Sequence, residues 1–380
     1  MLEAFGKAKE NPLLKNRKSS ILNTLYKILL LPITLFYWIG IVFRNLAYDL
    51  KLLKSKKHPI PIIGVGNLSV GGTGKTPTVE FLVRSMQMNQ FRPAVISRGY
   101  KRKTKGCFEV NKKHTAADIG DEPFQLMQKF PNLVIYVAEN RNEAVEQILQ
   151  KKPQIDVVIL DDAFQHRSIK PGLQILLTQY SKLYSKDVLL PSGRLREPIS
   201  GRKRADIIAV TKSLPVKSPF EEKRLLTELK VEPNQSFYMS YIEYDSPIPL
   251  NSKLPTLSTE QLKKKNILLF TAIANPIPIV NYLKQAGKET KKLFYPDHHY
   301  YTPADVDKIK KAFNDIFQSD KVLITTEKDA RRIQGTEIYE RFKDLPVYYI
   351  PIRMAFHSGL KGEDFLDKVI DYVKENPRKR

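Results

Sequence analysis

The stretch Val65-Gly-Asn-Leu-Ser-Val-Gly-Gly-Thr-Gly-Lys-Thr-Pro77 decides the fold class of this chain. It follows an apolar run, Ile60–Val65, that predicts a buried strand, and it precedes an apolar run from Val79 that predicts a helix. A strand, a glycine-rich loop and a helix in this order are the context of a phosphate-binding loop. In such a loop, backbone N–H groups and the positive helix end hold phosphate oxygens.

The loop supplies the residue types that a nucleotide site requires. Lys75 can reach the outer phosphates, and the Thr76 hydroxyl can ligate Mg²⁺. Ser69 replaces the first glycine of the usual G-x-x-x-x-G-K-[ST] pattern. A glycine turn beside an exposed lysine is the structural alternative. The predicted nucleotide-binding residues of the loop are Gly71, Gly72, Thr73, Gly74, Lys75 and Thr76.

A second element of a phosphate site lies at Asp156–Arg167. A hydrophobic strand ends there in the paired carboxylates Asp161 and Asp162. Such a strand end is typical of a Walker B element, whose carboxylate binds Mg²⁺ directly or through water. Two adjacent carboxylates repel each other unless a cation lies nearby. A solvated turn after a buried strand is the alternative.

The net charge of the chain is unusual. The 380 residues include 63 Lys and Arg against 40 Asp and Glu, a formal charge of +23. This excess predicts an anionic partner, which is a nucleic acid, a membrane surface or a phosphorylated substrate. Residues 1–60 alone carry eleven Lys or Arg against three acidic residues. The single cysteine, Cys107, excludes an internal disulfide.

An apolar segment lies within this basic region. Ile28–Phe43 holds 16 residues without a charge, and it contains an aromatic triplet. The run is shorter than the roughly 20 residues that span a bilayer, and we expect Pro32 and Gly40 to interrupt it. A helix before it would begin behind Ser19 and Ser20. The pattern favours a helix in the interface of an anionic membrane, with a signal peptide or a buried core helix as alternatives.

From Ile60 onward, short apolar runs alternate with helical stretches, which predicts α/β architecture with parallel sheets. We expect a membrane-associated helical segment at 1–50, a phosphate-loop domain at 51–235, an extended connector at 236–255, and a smaller C-terminal α/β domain at 256–380. The strands predicted in the first domain are Ile60–Val65, Arg92–Ile96, Leu133–Val137, Asp156–Leu160, Leu173–Leu177 and Ala205–Val210. Those of the second are Asn266–Phe270, Lys291–Phe294, Lys321–Thr325 and Pro346–Ile350, with helices at Ile277–Gln285 and Pro303–Ile316.

Further short motifs are ambiguous by themselves. Arg98, after a strand, has the geometry to hold a phosphate bidentately. The acidic pair in Gly120-Asp-Glu-Pro123 opens a helix, so that helix capping is the favoured interpretation of Asp121 on residue chemistry alone. Asp297 beside His298 either orients an imidazole for proton transfer or belongs to a helix cap. Thr326-Glu-Lys-Asp329 ends a strand and is compatible with a structural role.

Taken in chain order, these motifs resemble the tetraacyldisaccharide 4′-kinase family, the lipid A 4′-kinases of Gram-negative bacteria. The resemblance extends over about residues 20–357. The motifs that carry it are Gly66-Asn-Leu-Ser-Val-Gly-Gly-Thr-Gly-Lys-Thr-Pro77, Ser97-Arg-Gly-Tyr100, Gly120-Asp-Glu-Pro123, Asp161-Asp-Ala-Phe-Gln-His166, Arg196-Glu-Pro198, Asn275-Pro276, Asp297-His298 and Thr326-Glu-Lys-Asp329.

The resemblance implies a P-loop kinase that uses ATP and Mg²⁺, located at the cytoplasmic face of the bacterial inner membrane as a monotopic protein. It would transfer the γ-phosphoryl group to the 4′-hydroxyl of an acylated glucosamine disaccharide 1-phosphate, which gives lipid IVA. It also implies that Asp121 and His298 act together as the base, in a cleft between the two domains. The metal and nucleotide positions of the family match Thr76, Asp161, Asp162 and Glu197, while Lys75 and Arg196 would supply positive charge.

One departure from the family is visible after the paired aspartates, where Ala163 replaces the common glycine. If that position requires a positive φ, the loop differs slightly from the family's, and the sequence leaves open which aspartate binds the metal.

Two other classes of protein are alternatives. A membrane-associated partitioning ATPase often carries a lysine before the two glycines of the loop, where this chain has Val70. A nucleic-acid-binding ATPase would fit the charge, but the sequence shows no aromatic and basic platform. We therefore expect a lipid substrate and an anionic membrane as partners, with no nucleic acid and no obligate protein partner.

Overall fold

A computed structural model describes residues 28–214, 218–286, 290–297, 299–334, 336–358 and 364–378. The strands are β1 Ile62–Asn67, β2 Pro93–Ser97, β3 Phe108–Glu109, β4 Val134–Val137, β5 Val157–Asp161, β6 Leu173–Gln179, β7 Ile207–Thr211, β8 Ser236–Tyr244, β9 Ile248–Pro249, β10 Asn266–Thr271, β11 Thr290–Phe294, β12 Lys321–Thr326, β13 Val347–Ile350 and β14 Ile352–Phe356. The helices are α1 Leu31–Asp49, α2 Lys75–Met88, α3 Ala116–Ile119, α4 Asp121–Lys129, α5 Arg141–Lys151, α6 Pro219–Glu228, α7 Thr259–Leu262, α8 Ile277–Ala286, α9 Pro303–Asn314, α10 Glu327–Gln334, α11 Ile338–Phe342 and α12 Phe365–Glu375.

The first sheet carries the phosphate loop near its centre. Its nine strands lie in the order β14-β8-β7-β6-β1-β5-β2-β4-β3, and all are parallel except the two edge strands. Every residue of β1, β2, β5 and β7 is buried. This burial was predicted from their continuous apolar runs, which are typical of strands covered on both faces. The carboxyl ends of parallel strands meet at one edge. The loops after β1, β2, β5 and β7 are therefore neighbours.

The boundaries of the two domains differ from the sequence-based division. Ser236–Tyr244, which the sequence placed in the extended connector, is not part of a connector. Instead, β8 pairs with β7 and β14 inside the first sheet, and its first half is buried. The chain also returns to the first domain at its end, because Phe365 and Val369 of α12 belong to the same apolar core as Val65. The predicted unit 256–380 is therefore too long at its C-terminal side.

The second domain is a five-stranded sheet in the order β11-β10-β12-β13-β9, with β9 antiparallel to its neighbour. Its predicted strands and helices all occur, with ends shifted by one or two residues. A buried ion-pair cluster joins it to the first domain. The Lys129 Nζ atom on α4 lies 2.7 Å from Glu80 Oε2 on α2 and 3.1 Å from Glu327 Oε2 on α10.

The N-terminal apolar segment is a continuous helix, α1, of 19 residues. Neither Pro32 nor Gly40 interrupts it. Pro32 is tolerated because it lies in the first turn, where a helix needs no N–H donor. The helix is long and apolar enough to cross a membrane by length and composition. None of its residues is buried, which rules out the core-helix interpretation. The helix predicted behind Ser19 and Ser20 starts outside the described residues.

Candidate active site

The phosphate loop is shaped by Gly74 and held by contacts from two other segments. Gly74 has φ +90° and precedes α2, and a Cβ atom there would lie 3.2 Å from Thr211, so that a side chain would be strained as well as crowded. The loop backbone is fixed by Val70 N donating to the Arg194 carbonyl at 2.8 Å. The Thr211 hydroxyl donates to the Thr73 carbonyl at 2.7 Å.

Lys75 lies beside one of the paired carboxylates. Its Nζ atom is 3.5 Å from Asp162 Oδ1 and 3.4 Å from Asn67 Oδ1. Arg196 Nη1 lies 2.9 Å from each carboxylate oxygen of Asp162. Burial pushes the pKa of Asp162 upward, but the charges of Lys75 and Arg196 outweigh it, so that its pKa lies below the usual value. Asp162 is therefore ionised and holds both cations near the phosphate loop.

Asp161 has a different environment from its neighbour. It ends β5 and is buried, and its Oδ2 atom accepts a 3.0 Å hydrogen bond from the Ser97 hydroxyl. Its Oδ1 atom has no hydrogen-bond partner among the described residues. Burial is the larger cause and the negative charge of Asp162 the next, and together they raise the pKa of Asp161 to about 6. A buried carboxylate oxygen without a donor suits a cation.

The Mg²⁺ prediction can be tested against this donor set. The described residues contain no preformed cluster of three or more His, Cys, Asp or Glu side chains. Two carboxylates and the hydroxyl of Thr76, which is only partly buried on the first turn of α2, still offer the oxygen ligands that Mg²⁺ prefers. Because Mg²⁺ usually takes further ligands from substrate phosphates and water, Thr76, Asp161 and Asp162 fit this ion.

Glu197 is held by protein donors. Its side chain is buried, its Oε1 atom accepts a 2.8 Å hydrogen bond from Gln165 Nε2, and its Oε2 atom lies 2.8 Å from Arg204 Nη2. Asn45 of α1 also donates to Oε2, at 3.4 Å. The carboxylate thus links α1 to the loop that follows the paired aspartates. Its assignment as a metal ligand stays a prediction.

The departure at Ala163 does not require an unusual backbone. The positive φ in this loop, +52°, belongs to Asp162, and Ala163 is not among the described residues with positive φ. Ala163 is buried, and its N–H donates to the Val65 carbonyl at 3.2 Å. The expectation that alanine alters the loop through its backbone conformation is therefore wrong.

Asp121 opens α4 without capping it. The N-cap position is occupied by Gly120, with φ +93°, and a Cβ atom there would lie about 3.0 Å from the backbone of Gly99. Close contact between these two loops places α4 at the carboxyl edge of the first sheet. The Asp121 side chain forms an ion pair across the domain boundary, with Oδ2 2.9 Å from Arg332 Nη2 on α10. The capping interpretation of Asp121 is therefore wrong.

His298 lies outside the described residues, but its neighbourhood is described. Asp297, Asp121 and Glu122 are all close enough to Lys328 of α10 to affect its pKa, which burial lowers. Glu122 is in turn close enough to Asp161 to raise the pKa of that carboxylate. The two domains thus meet at a cleft, and Glu122 connects this region electrostatically to the paired aspartates. Its lining residues are Ala116, Asp121, Phe124, Gln125, Lys328, Arg331 and Arg332.

Comparison with known proteins identifies the family of this chain. The family model of tetraacyldisaccharide-1-P 4′-kinase, LpxK, matches residues 26–371. The chain is 40% identical to the tetraacyldisaccharide 4′-kinase of Bacteroides thetaiotaomicron, covering 92% of this chain and 94% of that protein. It is 39% identical to the tetraacyldisaccharide 4′-kinase of Flavobacterium johnsoniae, covering 93% of this chain and 99% of that protein.

The chain belongs to the tetraacyldisaccharide-1-phosphate 4′-kinase family. The fold agrees with this family. The structure resembles the crystal structure of "apo" form LpxK from Aquifex aeolicus in complex with ATP, with a TM-score of 0.69. The two sequences are 28% identical, and the match covers 92% of this chain and 99% of that one. The predictions of a P-loop kinase fold, of a lipid kinase of lipid A biosynthesis, and of ATP with Mg²⁺ are confirmed.

Sequence analysis of this kinase missed three polar residues near the phosphate loop. Gln165 Nε2 donates to the Asn67 carbonyl at 2.8 Å as well as to Glu197. Lys212 follows β7, and its Nζ atom donates to the Gly72 carbonyl at 2.7 Å. Arg141 is buried and close enough to both paired aspartates for their charges to affect its pKa. Lys212 could have been found from its position at a strand's carboxyl end, where ligands of α/β sheets bind.

Proposed function

We propose that the cleft between the two domains is where this kinase transfers the ATP γ-phosphoryl group to the 4′-hydroxyl of an acylated glucosamine disaccharide 1-phosphate. One observation supports the placement above others. The phosphate-loop lysine, the paired carboxylates and Arg196 form one cluster, with Lys75 Nζ 3.5 Å and Arg196 Nη1 2.9 Å from Asp162. Asp121 lines the cleft between the domains, and its neighbour Glu122 is close enough to Asp161 to raise the pKa of that carboxylate.

The proposed roles at the nucleotide follow from charge and position. The backbone of Gly71, Gly72, Thr73 and Gly74 binds the phosphates, with the N-terminus of α2 behind them. Lys75 and Arg196 stabilise the negative charge of the transferred group, which is the main task of a phosphoryl-transfer enzyme. Mg²⁺, held by Thr76, Asp161 and Asp162, supplies charge neutralisation at the phosphates when it is bound. Glu197 is either a further metal ligand or a support for Gln165.

The proposed role of Asp121 is that of a base. As the 4′-hydroxyl oxygen forms its bond to the γ-phosphorus, the bond from that phosphorus to the β-bridging oxygen breaks and ADP leaves. The hydroxyl proton passes to the Asp121 carboxylate, with His298 as its partner in the pair. General-base assistance of this kind contributes typically about 10²–10⁴-fold to the rate.

We further propose that α1 lies in the interface at the cytoplasmic face of the inner membrane. One side of the helix carries exposed apolar residues, among them Leu35, Phe36 and Phe43. The other side hydrogen-bonds the kinase domain through Tyr37 and Asn45. A helix attached along one polar side has only its apolar side available for lipid, which suits an interfacial position. The acylated substrate is dissolved in the same layer.

The experiment uses the full-length protein in detergent with γ-labelled ATP, Mg²⁺ and the disaccharide 1-phosphate. We expect label in a bisphosphorylated lipid. As a matched control, an acceptor already phosphorylated at its 4′ position should take up none. Steady ATP hydrolysis without lipid labelling would contradict the proposal and favour a switch-type ATPase.

A further inference from the structure

Helix α10 begins inside the Thr326-Glu-Lys-Asp329 motif, at Glu327. The established activity gives this motif no task. Asp329 is fully buried and accepts hydrogen bonds from the hydroxyls of Thr271 and Thr326, both at 2.6 Å. It also accepts from the Ala272 N–H at 3.2 Å. These bonds fix the start of α10 against the carboxyl ends of β10 and β12.

Arg332 lies one turn further along α10 and links this anchor to the first domain. Its Nη1 atom is 3.7 Å from Asp329 Oδ1 and 3.4 Å from the Ala272 carbonyl. Its Nη2 atom is 2.9 Å from Asp121 Oδ2. The side chain of Arg332 is 6% exposed and that of Asp121 18%, so that water screens the pair weakly. The guanidinium plane therefore points a fixed N–H group at the proposed base.

We propose that Arg332 is a positioning residue, which orients the Asp121 carboxylate for proton acceptance from the lipid hydroxyl. This inference rests on the proposed role of Asp121. A charge-assisted hydrogen bond from a guanidinium is short and directional, so it fixes the orientation of the carboxylate that accepts it. Because Arg332 belongs to the second domain and Asp121 to the first, this orientation requires contact between the two domains.

Other charged groups also face Asp121. Lys328 and Arg331 lie on α10, Glu122 lies on α4, and Asp297 follows β11. Arg98 lies on the loop that contacts Gly120. Because these groups remain in every Arg332 variant, a difference between a variant and the wild type isolates the guanidinium.

The test measures kcat and the KM values for the lipid and for ATP in the full-length protein with MgATP. In Arg332→Gln, Asp121 loses its charge-assisted hydrogen bond, so kcat should fall by about 10- to 100-fold. Arg332→Lys keeps a cation that can donate to Asp121 but lacks the planar guanidinium, so it should recover part of this loss. The KM for ATP should change little in both.

Two controls distinguish positioning from a structural role. Arg341→Gln removes a cation of the same domain that forms an exposed ion pair with Asp307. Its kcat and KM values should match those of the wild type. In the double variant Asp121→Asn with Arg332→Gln, the arginine change should add almost no further loss, because residues that act together are non-additive. If Arg332→Gln does not fold, the comparison of Arg332→Lys with Asp121→Asn still tests the coupling.

An unchanged kcat in a folded Arg332→Gln enzyme would overturn the inference, as would multiplicative losses in the double variant. Failure of the proposed function looks different, since the wild-type protein would then label no lipid at all.

Discussion

The hydroxyl of Tyr37, on the apolar helix α1, donates a 2.7 Å hydrogen bond to the carbonyl oxygen of Arg196. Arg196 itself pairs with Asp162 at the phosphate site. Together with the contact between Asn45 and Glu197, this bond joins the apolar helix α1 to the loop that carries Arg196. The helix proposed as the membrane anchor is therefore in direct contact with the proposed active site.

This connection predicts that Tyr37→Phe lowers kcat while leaving membrane association unchanged. Loss of one such hydrogen bond costs about 0.5–1.5 kcal/mol, or about 2- to 10-fold in rate. Activity on detergent-dispersed lipid and sedimentation with anionic vesicles are the two measurements. The matched change on the apolar side, Phe36→Ala, should do the reverse. Equal vesicle binding and full activity in both variants would disprove the division of α1 into two faces.

Lys75→Ala should lower kcat by about 10²–10³-fold, as removal of a transition-state cation does elsewhere. The fold should survive, because Arg196 still neutralises Asp162. Circular dichroism and the transfer assay measure the two effects. Lys56→Ala, at an exposed pair with Glu146, is the control and should leave turnover unchanged. Wild-type turnover in Lys75→Ala would remove the basis for the phosphate-loop assignment.

Asp161→Asn should stabilise the metal-free protein while abolishing metal-dependent transfer. Asp161 has a pKa of about 6 in the folded protein, above its unfolded value of 3.8, so that ionisation opposes folding. This destabilisation is present above about pH 6 and absent below the unfolded pKa, and it is worth about 2–3 kcal/mol for two pKa units. Thermal unfolding without Mg²⁺ should show a higher midpoint for the variant at pH 8 and no difference near pH 4. A lower midpoint at pH 8 would contradict this account.

Asp121→Asn should lower kcat by about 10²–10⁴-fold with little change in the KM for ATP. His298→Ala should lower it too. If the two residues form one proton-accepting unit, the double variant should be much less impaired than the product of the single losses. Steady-state kinetics of the four enzymes measure this. Losses that multiply independently would show that the two residues act separately.

Much of the local structure was predictable from short patterns. Apolar runs predicted β1, β5 and β7 within two residues, and the glycines with Lys75 predicted the phosphate loop. Ser236–Tyr244 was assigned to the connector because its alternation of apolar and polar residues is typical of a half-exposed strand. In the sheet its first half is buried on both faces and its second half is only partly covered, so the alternation did not predict its position.

The sequence by itself determined the strand, loop and helix at 62–88, the paired carboxylates at a strand end, and the family, because each depends on neighbouring residues. Only the tertiary structure decided which distant side chains meet. Arg332 and Asp121 are 211 positions apart, and Tyr37 and Arg196 are 159 apart. Such pairs depend on how two domains and a surface helix pack together. No periodicity along the chain encodes that packing, since it follows from the shapes of the folded elements.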